Sequence, residues 1–211
     1  WDFPTYLVIG CVGVLFAGLN NQKSAPIFSM GFKKLQSRFL EILIAVAALV
    51  FFAFILYQPF AAWYGQGYNS ISLWEGTRTP SWSYFTHWCL FLILILSWFV
   101  QETYDWMATT PVSSLNLLRP YKTFLAVMAA GVILVPVGLV LYGVGIAWMA
   151  LPMAAWAGVL IFRKGQTEAK RFVLFLIGSA FVLTLVVELI VLVGDIGRMN
   201  TVFKFYLQAW T

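Results

Sequence analysis

The sequence predicts an all-α polytopic membrane protein: a helical bundle of about six full spans plus the start of a seventh, forming one transmembrane domain over residues 1–211. Three observations predict it. The residues are 62% hydrophobic and only 10% charged, where soluble domains carry about a quarter charged residues. The apolar residues come in blocks of roughly 20, the length that crosses a bilayer as a helix. The dyad alternation of a transmembrane β-barrel is absent.

The blocks cover residues 4–19, 39–60, 84–101, 123–143, 145–162 and 172–193, and a last one opens at 202. Pro, Gly, Asn and charge clusters bound them, as helix ends require. Pro136 and Pro152 fall inside the fourth and fifth blocks and predict kinks, which a membrane bundle tolerates when neighbours satisfy the freed carbonyl. Residues Tyr142–Gly145 predict a tight turn between those two spans. The stretch "FKKLQSRF" predicts a short amphipathic helix on the membrane surface. The chain opens on Trp1 rather than Met, and its first block lacks the basic start of a signal peptide. Its last block breaks off after about two turns, so a piece of a longer chain is expected. Cys11 and Cys89 sit inside apolar blocks and read as small packing residues, with no disulfide or metal spacing.

Lysine and arginine set the sidedness. The loop after the first span carries Lys23, Lys33, Lys34 and Arg38, the loop before the fourth carries Arg119 and Lys122, and "RKGQTEAKR" carries Arg163, Lys164, Lys170 and Arg171. These three loops share one side and hold ten of the thirteen basic residues, so that side is predicted to be cytoplasmic. The formal charge of +5 is thus no nucleic-acid signal, because no basic stripe or aromatic platform gathers it. Membrane lipids are the predicted partners of these loops. Glu41, Glu102 and Asp105 fall on the same side and read as solvated.

The other side gathers "WDFPTY", "WYGQGYNSISLWEGTRTPSWSYFTHW" and "GDIGRMN". The Trp and Tyr residues suit an aromatic belt or a sugar-stacking pocket. Glu188 lies inside the sixth span, where a carboxylate is costly unless paired or facing water. Asp195 follows two helical turns later and shares its face if the helix continues. Arg198 stands at ion-pair spacing from Asp195, and Asn200 follows in the same stretch. Thr201, Lys204 and Gln208 make a polar stripe on an apolar helix. Glu75 and Arg78 stand at surface-pair spacing. Asp2 precedes Phe-Pro as a helix cap would, or serves as a carboxylate at the outer surface. Two readings remain for the cluster: a structural ion lock between the sixth and seventh spans, or a substrate-facing site. His87, the single histidine, has no ligand-spaced neighbours and reads as an interfacial hydrogen-bonding residue. No nucleophile elbow, P-loop, dinucleotide fingerprint or zinc signature is present.

"WDFPTYL" near the start and "GDIGRMNTVFKFYLQAW" at the end resemble the archaeal and Chloroflexi "YYY" membrane proteins, a DUF2298-type family. Between them the chain matches in pattern, as apolar spans with a "TRTP" outer loop. The resemblance implies a GT-C-like helical bundle in a prokaryotic cytoplasmic (inner) membrane, with its site on the extracytoplasmic face. It implies a glycosyltransferase that moves a sugar from a polyprenyl-phosphate donor to an extracytoplasmic acceptor. The triple-tyrosine motif of the family is absent from these residues and is expected upstream of Trp1.

On that reading Asp2 and Asp195 are the candidate catalytic carboxylates, and Glu188, Arg198, Asn200, Lys204, Glu75 and Arg78 the candidate substrate-binding residues. A divalent metal through Asp2 and Asp195 is compatible with the residue types, though no metal signature calls for one. Two other functions fit the same spans. One is a non-catalytic integral membrane subunit of a larger complex, with the charges as a lock. The other is a lipid or solute transporter, for which no inverted repeat argues.

Overall fold

A computed structural model of the chain describes residues 2–19, 32–63, 70–163 and 165–210, and for residues 2, 19, 32–35, 115 and 117 it describes the backbone alone. The described residues form seven α-helices: α1 (Asp2–Leu19), α2 (Phe32–Trp63), α3 (Ser81–Thr109), α4 (Lys122–Leu141), α5 (Ala147–Ile161), α6 (Glu168–Leu189) and α7 (Met199–Trp210). A 3-10 helix, Val112–Tyr121, leads into α4. Two three-residue strands, β1 (Ile71–Leu73) and β2 (Ile190–Leu192), complete the fold.

Among the described residues, four stretches are long and apolar enough to cross a membrane: Gln36–Trp63, Ser81–Thr109, Leu118–Leu141 and Glu168–Leu189. Phe3–Gly18 and Ala147–Ile161 are shorter apolar helices. At 1.5 Å per residue α5 rises about 22 Å, short of the roughly 30 Å hydrocarbon core. Four full-length spans with two shorter helices therefore stand where the sequence predicts six. The helices run through Pro136 and Pro152, and α2 also contains Pro59.

Two sequence expectations are corrected here. "FKKLQSRF" is not a separate surface helix but the start of the 32-residue α2. No Gly or Pro interrupts residues 32–58, so nothing in the local sequence stops the helix. The sixth span does not run to 193. Helix α6 ends at Leu189, and Ile190 takes an extended backbone with φ −128° and ψ 157°. The β-branched run that follows favours a strand. It pairs antiparallel with β1 in the register Ile71↔Leu192, Ser72↔Val191 and Leu73↔Ile190. Trp74 N–H donates to Leu189 O (2.8 Å) and Val193 N–H to Ser70 O (2.9 Å), extending the ladder at both ends.

The core lies between α3, α5 and α6. Phe99, Leu160 and Leu174 are fully buried, as are Val144 and Ile146 in the α4–α5 turn. Small residues set the spacing: Ala147, Ala150 and Ala157 are buried on α5, and a Cβ on Gly178 of α6 would sit 3.5 Å from Ala157 Cβ. Close approach of this kind is how helices pack where burial from water supplies no drive. Interhelical hydrogen bonds add to it: Tyr84 OH pairs with Thr184 Oγ1 (3.0 Å), and Trp156 Nε1 donates to Thr103 Oγ1 (2.9 Å). By contrast only 6% of the most apolar part of Gln36–Trp63 is buried, and 6% of that of Leu118–Leu141. Their remaining surface is apolar and open, as lipid contact requires.

Candidate functional site

The strand pair marks one end of the bundle, called here the hairpin end. The C-termini of α4 and α6 meet the N-termini of α3, α5 and α7 there. Glu188 sits in the last turn of α6 and is fully buried. Thr79 donates to it twice, from its backbone N–H to Oε2 (2.9 Å) and from Oγ1 to Oε1 (2.6 Å). Arg198 Nη1 pairs with Oε1 at 2.9 Å. The same guanidinium donates to Val187 O (2.8 Å) and to Thr79 Oγ1 (3.0 Å), and lies over the Trp74 ring at 5.6 Å. Both carboxylate oxygens are thus committed inside the protein. The charge is neutralised where an unpaired one would cost several kcal/mol.

Arg78 serves another purpose. Its three nitrogens donate to Glu188 O (3.1 Å), Tyr142 O (2.8 Å) and Trp74 O (3.3 Å), and its guanidinium stacks over Tyr142 at 4.5 Å. Glu188 and Tyr142 stand at the C-terminal ends of α6 and α4, where helix carbonyls lack partners and carry partial negative charge. One cation closes both helices. Gly143, at φ +96°, makes the turn beside it, and a Cβ there would lie 3.1 Å from Arg78 Nη1.

Asp195 caps α7. Oδ1 accepts from Asn200 N–H (3.2 Å), and Oδ2 accepts from Thr201 N–H and Thr201 Oγ1 (2.7 Å each). Thr201 Oγ1 in turn accepts from Leu192 N–H (3.1 Å), tying the cap to β2. Partial desolvation raises the Asp195 pKa, but the Thr201 hydroxyl and the N–H groups of Thr201, Asn200 and Ile196 outweigh it and hold the carboxyl below its ordinary range.

The candidate residues therefore do not form one cluster: Arg78 and Arg198 meet at Glu188 and Trp74, while Asp195 caps α7. Arg198 joins Glu188 rather than Asp195, because α6 ends at Leu189 and the chain turns before Asp195. For the same reason Glu188 and Asp195 do not share a helical face. Arg78 binds carbonyls and makes no pair with Glu75, which is exposed. Asn200 contributes its backbone N–H to the cap. Lys204 is half-buried on α7, between the buried Thr201 and Gln208 of the predicted polar stripe. Asp2 opens α1, and its side chain lies outside the described residues.

A second charge cluster, at the opposite end, departs from the sequence reading. Glu102 is not solvated but 3% exposed. Arg163 Nη1 meets its Oε2 at 2.8 Å and its backbone carbonyl at 2.9 Å, and Lys170 Nζ pairs with Oε1. The signal lay in topology: Glu102, Arg163 and Lys170 stand just beyond the predicted ends of spans three, five and six, on the same side.

An apolar groove of about 500 Å³ runs between α1, α5 and α6. Pro4 and Thr5 line it in the first turn of α1, and Gly158, Leu174, Gly178 and Val182 line it further along. Gly158 helps to create it, since a Cβ there would meet nothing within 4 Å. Helix α7 packs on both α6 and α1. Among the described residues, no three His, Cys, Asp or Glu side chains converge as a metal site requires.

Long apolar helices, open apolar flanks and buried, mutually neutralised charges define a multi-pass membrane protein in contact with membrane lipids. The family pattern of the uncharacterized membrane proteins DUF2298 matches residues 1–211, and the chain belongs to that family. No curated protein and no solved structure matches it.

Proposed function

We propose that the chain forms the membrane part of a GT-C-type glycosyltransferase that uses a polyprenyl-phosphate sugar, with its site on the extracytoplasmic face of a prokaryotic cytoplasmic membrane. One observation carries the reading. The apolar groove starts at Pro4 and Thr5, in the same helical turn as Asp2, and runs past Val182 and Gly178 to Leu174, away from the hairpin end that the charge bias assigns to the outside. A prenyl chain is apolar, narrow and flexible, and a groove open along its side admits it from the bilayer. Its phosphate would then lie at the outer surface, near the start of α1 and of α7.

In this scheme the Asp2 carboxylate accepts the acceptor hydroxyl's proton as that oxygen attacks the anomeric carbon. The C–O bond to phosphate breaks with its electron pair, leaving polyprenyl phosphate and an inverted glycoside. Lys204 on α7 is the cation assigned to the departing phosphate. Asp195, Glu188, Arg198 and Arg78 hold the walls, since their polar atoms are committed to the caps and pairs described above. Asn200 and Glu75 border this end without an assigned contact. The test uses the full-length protein, polyprenyl-phosphate hexoses and two variants. Asp2→Asn is expected to abolish sugar transfer without changing thermal stability. Gly158→Leu is expected to abolish it by filling the groove. Transfer at the wild-type rate in both would refute the assignment.

A second reading, a non-catalytic membrane subunit, is favoured by the sealing of Glu188 and Arg198. It predicts no transfer from any polyprenyl-phosphate sugar by the wild-type protein.

A further inference from the structure

We infer that the end of the bundle opposite the hairpin carries a binding site for the phosphate headgroup of an anionic phospholipid, centred on Arg171. Three cations meet there in direct contact with only two carboxylates. Arg163 and Lys170 share the single carboxylate of Glu102, while Arg171 Nη1 pairs with Glu168 Oε1 at 3.2 Å. Arg171 Nη2 donates to Arg163 O (3.3 Å), which links the two pairs into one cluster of net charge +1. Arg171 Nε is buried and has no acceptor. Asp105, further along α3, is exposed and belongs to none of the ion pairs among the described residues.

Backbone electrostatics add to the surplus. Glu168 opens the first turn of α6, and N–H groups at a helix start favour an anion, although that of Arg171 is already bonded to Thr167 O (3.1 Å). The Thr167 hydroxyl accepts one of them, from Lys170, at a long 3.4 Å. The positive end is also accessible: the side chains of Lys170 and Arg171 are 47% and 30% exposed. A phosphodiester oxygen there would neutralise the surplus charge and take a charge-assisted bond from the guanidinium.

The surroundings select a lipid over free phosphate. Phe162, immediately before Arg163, is 84% exposed, and Val159 and Val173 are exposed on the adjoining turns of α5 and α6. A soluble anion gains nothing from those side chains, whereas acyl chains cover them while the headgroup meets the cations.

The experiment compares melting of the full-length protein in detergent micelles doped with phosphatidylglycerol, doped with phosphatidylcholine, or supplemented with soluble glycerol phosphate. Phosphatidylglycerol is expected to raise the melting temperature by about 5 °C, as saturation of one site would. Phosphatidylcholine and glycerol phosphate are expected to give little shift. Arg171→Gln should remove the phosphatidylglycerol shift, and Arg171→Lys should keep part of it. Native mass spectrometry of the same samples should show phosphatidylglycerol retained by wild type and lost from Arg171→Gln. An equal shift in both lipids, an undiminished shift in Arg171→Gln, or a full shift with glycerol phosphate would each overturn the inference.

Discussion

Replacing Glu188 with glutamine tests the ion lock at the hairpin end. The carboxylate has no exposed surface, and Arg198 is 12% exposed. The substituted amide would keep one acceptor for Arg198 and the Thr79 hydroxyl. Its NH2 would face the Thr79 N–H, placing donor against donor at a contact now 2.9 Å long. Removing one partner of a buried pair costs about 3–5 kcal/mol. The lower end applies because Arg198 retains Val187 O and Thr79 Oγ1 as acceptors. A loss of about 3 kcal/mol lowers the melting temperature by roughly 6–12 °C in a region of this size. Thermal unfolding in detergent, followed by tryptophan fluorescence, reads the shift. The double variant Glu188→Gln, Arg198→Met should fall by less than the sum of the single variants, since coupled partners are not additive. A melting temperature for Glu188→Gln within about 1 °C of wild type would refute the buried-pair reasoning.

Other expectations follow from the same geometry. Asp195→Ala should cost about 1–2 kcal/mol through loss of the α7 cap. Because folding lowers the Asp195 pKa, its contribution is present above the ordinary carboxyl value and is lost as pH falls through the lowered one. Wild type should therefore lose its advantage over Asp195→Asn at acid pH, as paired melting curves would show. Gly143→Ala should destabilise by about 1 kcal/mol or more, because φ +96° disfavours a side chain and the new Cβ crowds Arg78; chemical denaturation measures it. Gly158→Leu should match or exceed wild-type stability, since open space receives the side chain and helix propensity improves by about 0.5–1 kcal/mol. Unfolding of that variant well below wild type would contradict the groove.

The helical class was legible because block length and composition determine it, but of the six expected spans only four helices among the described residues are long and apolar enough to cross a membrane. Their bounds were less so. Residues 190–192 are as apolar as the helix before them, and only pairing with β1, more than 100 positions earlier, makes them a strand. That hidden crossover undid the expected Glu188–Asp195 face. Asp195 three positions before Arg198 suggested a local pair, but Arg198 is held by Glu188 and Thr79. Thr79, the residue that completes the Glu188 site, carries no charge and stands in a loop, so sequence reasoning passed over it. Glu102 was misread for a related reason. Its partners lie 61 and 68 residues away, and only packing of α3 against α5 and α6 joins them. The groove was not legible, because it is an absence of side chains at Gly158 and its neighbours.

The most direct test of the proposed function is photocrosslinking with a polyprenyl phosphate that carries a photoreactive group along its chain, in membranes containing the full-length protein. Labelling is expected on α1 and α6 at residues 4–9 and 174–183, competed by unlabelled polyprenyl phosphate and abolished by Gly158→Leu. Labelling spread evenly over the open faces of α2 and α4, unaffected by competitor or by that substitution, would contradict it.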